Sequence, residues 1–225
     1  MEQIKRSNYN NIKMNFNVIT PMVRFENFDK LKNHLSKFEI KWHIIIDEDK
    51  DMVIKDEDHW INYYKCPNDK IKFWERCNNS INWFIKNILI SDDNEFYCIL
   101  NDDDAYEENF FTKLKNEIVK SKIINDFNGL IICSMLRGHK TPTDVDPVRW
   151  HPTTTLIANK NNMRVGFVGV EQFIISGKLL KNHKLPLTSC GDGELIVDLV
   201  SNYKALYLSD LFVLFNYYQP GRWFL

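Results

Sequence analysis

The sequence predicts an α/β protein of Rossmann-like design, with a mostly parallel central sheet and helices on both faces. Three observations carry that expectation. From residue 16 onward, short apolar runs alternate with segments of helical periodicity. The runs are almost continuously hydrophobic, the pattern of strands buried on both faces. Successive runs also end in polar or acidic residues, where open α/β sheets collect their ligand-binding groups.

Residues 1–14, "MEQIKRSNYNNIKM", are polar and aperiodic and predict a flexible tail before a single domain spanning 15–225. "FNVIT" (16–20) is the first predicted strand, stopped by Pro21. "FDKLKNHLSKF" places Phe28, Leu31, Leu35 and Phe38 on one helical face. "KWHIIID" (41–47) is a second strand with an acidic end, and "DEDHWINYYKCPNDK" (56–70) reads as a polar excursion. A helix is expected over 78–90, burying Ile81, Phe84 or Ile85, and Ile88. "FYCIL" is a strand, followed by three aspartates and a helix carrying Phe111, Leu114 and Ile118. "GLIICSM" (129–135) is the next strand. The stretch 137–155, "RGHKTPTDVDPVRWHPTTT", reads as a long loop of the functional kind. "EQFIIS" (171–176) and "KALYLSD" (204–210) are strands flanking a helix near 194–201, and "FVLFNYY" is a core or cleft strand.

Composition narrows the classes. A hydrophobic share of 44% supports a large core, and 15 Phe, 9 Tyr and 6 Trp suggest aromatic-lined surfaces. A net charge of −1 offers no global field for nucleic acid or an anionic membrane. The five cysteines are odd in number, widely spaced and without a CxxC pair, which argues against a disulfide framework or a structural zinc site. With no signal peptide and no apolar run long enough to span a bilayer, the expectation is a cytoplasmic protein without an integral membrane segment.

The chemistry is concentrated in "EFYCILNDDDAYEENFF" (95–111). Carboxylates at a strand mouth suit a hard divalent cation such as Mn²⁺ or Mg²⁺, which keeps water or phosphate oxygens as its other ligands. The alternative is a solvated helix start, where Asp is favoured by capping and the helix dipole. An EF-hand fails on spacing, because Glu107 stands at the sixth position from Asp102 and Lys113 at the twelfth. No GxxxxGK[ST] or GxGxxG loop is present.

Taken in order, the strand ends "TPMVR", "DEDKD" and "NDDD", the helix start "RCNNSIN", and "VGVEQFIISGKLL", "CGDGELI" and "FNYYQPGRW" resemble a GT-A fold glycosyltransferase close to family-2-like enzymes. The likeness runs over roughly residues 16–223. It implies a nucleotide-sugar-binding half over 15–135 and an acceptor-binding half over 136–225. It implies a metal-dependent, inverting transfer of sugar from a nucleotide-sugar, most simply UDP-linked, to a glycan or glycoconjugate. Thr20, Pro21, Arg24, Asp47, Asn78 and Asp102 would meet the nucleotide-sugar, with Asp47 near the base. Asp103 would ligate the cation directly, with Asp104 beside it; Asn101 departs from the acidic residue expected at the head of the box. Asp192, between Gly191 and Gly193, would be the general base, and Glu194, Gln172 and Trp150 would face the acceptor.

Read as residues alone, Asp192 and Glu194 also suit a turn or helix cap. Arg222 could meet diphosphate oxygens. His139, His151 or His183 could complete a metal shell, and Trp223, Tyr217 and Tyr218 could stack on a sugar or base. Two rival functions remain at this level: a non-catalytic nucleotide- or sugar-binding module of the same fold, and a metal-dependent nucleotidyl or phosphoryl transferase.

Overall fold

The computed structural model describes residues 13–50, 58–67, 73–123, 127–140 and 150–218. Of 73–74, 123, 139–140 and 150–153 the backbone alone is described. In chain order the elements are β1 (Asn15–Pro21), α1 (Phe28–Leu35), β2 (Lys41–Asp47), β3 (Ile61–Cys66), α2 (Phe73–Asn87), β4 (Glu95–Ile99), β5 (Ala105–Tyr106) and α3 (Phe110–Ile123). They continue as β6 (Leu130–Lys140), β7 (Trp150–Leu156), β8 (Phe173–Ser176), α4 (Gly177–Leu180), α5 (Gly191–Asn202) and β9 (Leu206–Phe215). Short 3-10 turns precede α1 and β8.

All nine strands join one sheet in the order β3-β2-β1-β4-β8-β6-β9-β5, with β7 paired to the far end of β6. Strand composition explains the two layers around it. Because side chains alternate, β1 sends Phe16 and Val18 to one face and Ile19 to the other. Trp42, Ile44, Phe96 and Cys98 join the first face, where α1 supplies Leu31 and Leu35 and α3 supplies Leu114 and Ile118. Ile45, Tyr97 and Ile99 join the second, covered by Ile81, Phe84 and Ile85 of α2 and by Leu195, Ile196 and Leu199 of α5. With each fully buried large apolar side chain contributing roughly 1.5–3 kcal/mol, neither layer is dispensable. Hence the near-continuous apolar strands: both faces are core.

The parallel run of strands is as expected, but the sheet is mixed, because antiparallel pairs join it as well. β3, β2, β1 and β4 run parallel, as do β6 and β9. β8 is antiparallel to both β4 and β6, and the β6–β7 and β5–β9 pairs are antiparallel as well. Of the antiparallel pairs, only β6–β7 joins consecutive strands; the others, like the parallel β6–β9 pair, bring together strands that are not consecutive in the chain.

Further differences have local causes. The "polar excursion" contains edge strand β3, whose Tyr63 packs toward Phe28 while Tyr64 stacks on His43. The long loop over 137–155 is strand at both ends, since β6 reaches Lys140 and β7 begins at Trp150. Pro21 is the last residue of β1 rather than a stop before its end. Met14, assigned to the tail, is buried in the core, and residues 1–12 lie outside the described residues.

Candidate functional site

The site lies at the carboxyl ends of β1, β2 and β4, where a parallel sheet exposes its ligand-binding rim. Beyond β4 the chain passes through Leu100 and Asn101 to Asp102, Asp103 and Asp104. β5 then captures the segment by pairing with β9. The three aspartates are thereby pulled inward and are only 1%, 4% and 0% exposed. Three buried carboxylates at neighbouring positions are costly unless each finds donors or a cation.

Asp102 finds them completely. Its Oδ2 accepts the backbone N–H groups of Val23 (2.7 Å) and Arg24 (2.6 Å), and its Oδ1 accepts Arg24 Nε–H at 2.7 Å. The second arm of the Arg24 guanidinium pairs with Asp103 Oδ2. The Asp103 carbonyl accepts the Tyr218 N–H at 2.9 Å, and Asp104 Oδ1 accepts the Asn216 N–H at 2.8 Å. Burial pushes the Asp103 carboxyl up to about 6, against the pull of Arg24. Burial, with Glu171 and Asp103 as neighbours, holds the Asp104 carboxyl well above the usual range.

A cleft of about 170 Å³ opens beside this cluster. Pro21, Arg24, Asn78, Asn101, Asp102 and Asp192 all line it. Asp192 reaches it from the first turn of α5. Its Oδ1 accepts the Gly193 N–H at 2.8 Å, and burial pushes its carboxyl up, opposed by backbone N–H groups of Gly193 and Val170 and by the charge of Arg137. The flanking glycines act by close approach rather than by a sharp turn: a Cβ on Gly191 would collide with the Pro186 carbonyl, and one on Gly193 would press on Val165 and Gly166. Asn78, on α2, donates to the Pro186 (3.0 Å) and Thr188 (3.2 Å) carbonyls and so ties the segment before α5 to the cleft. Cys77 shares the lining, but burial pushes its thiol up to about 12, which leaves it protonated and poorly nucleophilic at neutral pH.

Other expected residues have structural partners. Thr20 is fully buried and accepts the Trp42 indole N–H at 2.9 Å, so it fixes the β1–β2 pair. Asp47 ends β2 as expected but pairs with Arg76 at 3.1 Å and does not line the cleft. Glu194 accepts the Thr188 hydroxyl at 2.8 Å, supporting the turn before α5. Gln172 is buried, donating to the Cys133 carbonyl (3.1 Å) and accepting the Gly169 N–H (3.2 Å), so it locks β8 to β6 rather than facing an acceptor. Trp150 begins β7, His139 and His151 sit opposite each other in β6 and β7, and their side chains lie outside the described residues, as do Arg222 and Trp223. His183 meets the Tyr203 hydroxyl (3.3 Å), away from the acidic cluster. Tyr218 packs against the first core face beside His34 rather than standing open.

Sequence reasoning passed over Glu171. It is 2% exposed, accepts the Asn101 side-chain amide and lies against Asp104; burial and the nearby Asp192 push its carboxyl up to about 7. The available signal was a glutamate inside an otherwise apolar run, "VGVEQFII". Among the described residues, no three His, Cys, Asp or Glu side chains converge as a ready-made metal cage. A divalent cation here would rely on one or two carboxylates and on ligand oxygens, as Mg²⁺ commonly does. The unpartnered, fully buried Asp104 Oδ2 fits that need. A larger cavity, about 680 Å³ between Lys122, Lys178 and Tyr203, includes Ser176 and Gly129 at the opposite ends of the strands and shares no residue with the cleft. Among the described residues, no helix is long and apolar enough to cross a membrane. No protein-family model matches the chain, and neither does any curated protein.

Proposed function

We propose that the protein is a metal-dependent, inverting glycosyltransferase that moves a sugar from a nucleotide-sugar, in the simplest case a UDP-sugar, to a glycan or glycoconjugate acceptor. The observation that carries the reading is the meeting, in one cleft, of Arg24, Asn78, Asp102 and a desolvated Asp192, with Asp103 and Asp104 buried directly behind Asp102 and Asp103 paired to Arg24. These groups come from separate elements, and each has a distinct task. Arg24 presents a guanidinium suited to diphosphate oxygens. The acidic box supplies the carboxylates that would hold Mn²⁺ or Mg²⁺. When bound, the cation supplies charge stabilisation for the departing diphosphate. Asp192 takes the proton of the acceptor hydroxyl as it attacks the anomeric carbon from the face opposite the leaving group. Its raised pKa suits that work, since a base is more effective as its pKa approaches the working pH.

The 170 Å³ cleft is below the roughly 300–1,000 Å³ of complete small-molecule sites, so it seats part of a donor and the remainder lies along the strand ends. Incubation with a panel of nucleotide-sugars and Mn²⁺ tests the reading, through thermal shift and through release of free nucleotide. Stabilisation by one nucleotide accompanied by turnover supports a transferase. Stabilisation with neither hydrolysis nor transfer would identify a binding module instead.

A further inference from the structure

The acidic box does not end with its own three aspartates. Glu171, from the 3-10 turn before β8, approaches it from a strand that pairs with β4. Each member of the cluster can be assigned its partners. Asp102 is saturated by Val23 and Arg24, Asp103 holds Arg24, and Asp192 accepts α5 N–H groups. Asp104 keeps Oδ1 on the Asn216 amide, and Glu171 keeps Oε1 on the Asn101 amide. That leaves Asp104 Oδ2 and Glu171 Oε2, both buried without a hydrogen-bond partner, on adjacent carboxyl groups. Two acceptors packed together in a dry site require something positive between them. Five carboxyl groups (Asp102, Asp103, Asp104, Glu171 and Asp192) share the neighbouring charges of Arg24 and Arg137.

We propose that the divalent cation of this site is held between Asp104 Oδ2 and Glu171 Oε2, with Asp103 left to Arg24. This rests on the glycosyltransferase reading and makes Glu171 a metal ligand. The remaining coordination positions fall to water and diphosphate oxygens, the usual arrangement for a hard cation bound by two carboxylates. Gly169 packs against the Glu171 carboxyl, and a Cβ there would strike Oε2.

Binding of Mn²⁺ alone, followed by the loss of the free-ion EPR signal, tests the assignment without any need for activity. The wild-type chain should bind, Glu171→Gln should weaken binding at least tenfold, and Asp103→Asn should weaken it far less. The metal-free melting temperature of Glu171→Gln should hold or rise, because its amide can donate to Asp104. If that variant fails to fold, Glu171→Asp keeps the charge, withdraws the oxygen by one methylene, and should show the same loss. Unchanged Mn²⁺ binding in the Glu171 variants, with loss in Asp103→Asn, would overturn the inference and leave the transferase standing. No Mn²⁺ binding by the wild type, with or without UDP, means that the pair shares a proton; the inference and the metal requirement of the transferase then fall together.

Discussion

Asp102 is fully buried and Asp192 only half-buried, and their bonding differs as well. Asp102 spends every acceptor site on residues 23 and 24, so it anchors the loop after β1. Asp102→Ala should lower stability by roughly 3–5 kcal/mol in urea titration, because it strands a half-buried guanidinium and two backbone N–H groups. Asp192 spends one oxygen on its own helix start. Asp192→Asn preserves that bond and removes proton acceptance, so transfer should fall by about 10²–10⁴ while nucleotide affinity persists. The product should show inverted anomeric configuration by NMR, and a fully active Asn variant would reduce Asp192 to a cap. Asp47 gives a third contrast. If it reads the nucleobase, Asp47→Ala weakens donor affinity and leaves saturated turnover alone; if its business is Arg76, both are unchanged.

At the scale of elements, α5 is aimed by contacts that no periodicity reveals. Asn78 and Asn82 of α2 bind the segment 185–188, and Gly191 packs on the Pro186 carbonyl. Gly191→Ala should therefore cost roughly 1–3 kcal/mol by denaturant unfolding and reduce transfer beyond that loss, since the methyl group pushes the Asp192 turn away from the cleft. The same distinction explains what the sequence made legible. β1, β2, β4 and the helices α1, α3 and α5 follow from period and apolar content. The acidic box at the end of β4 follows from its position. Edge strand β3 was hidden because its flanks are polar, and β7 because proline and threonine read as loop. Glu171 was hidden because its partner is the Asn101 amide, 70 positions earlier, and nothing local marks a glutamate that the fold will bring against the acidic box.

For the whole molecule, burial pushes His43 and His34 down to about 4. His43 sits neutral between Asn17 Oδ1 (3.0 Å) and the Tyr64 hydroxyl (3.2 Å), and His34 Nε2 accepts the Tyr106 N–H at 3.1 Å. The unfolded chain binds these protons near pH 6.5 and the folded chain only near 4. The contribution of these two histidines is therefore level above about pH 6.5 and declines as pH falls toward 4, by up to roughly 3 kcal/mol for His43. The raised carboxyls of Asp103, Asp104, Glu171 and Asp192 act in the opposite direction. His43→Gln should flatten that part of a urea-midpoint profile. A profile unchanged by the substitution would exclude His43 as its source. The bonds around the acidic box constrain the order in which the molecule can be made. Asp103 and Asp104 are synthesised early, but the amides that restrain them belong to Tyr218 and Asn216, beyond β9. A nascent chain can lay down β1 to β4 behind the ribosome and secure Asp102 and Asp103 on Arg24, yet Asp104 stays without its amide until the stretch that follows β9 has cleared the exit tunnel. Nucleotide recognition should accordingly appear late and all at once in a series of stalled chains, well after the parallel strands resist proteolysis.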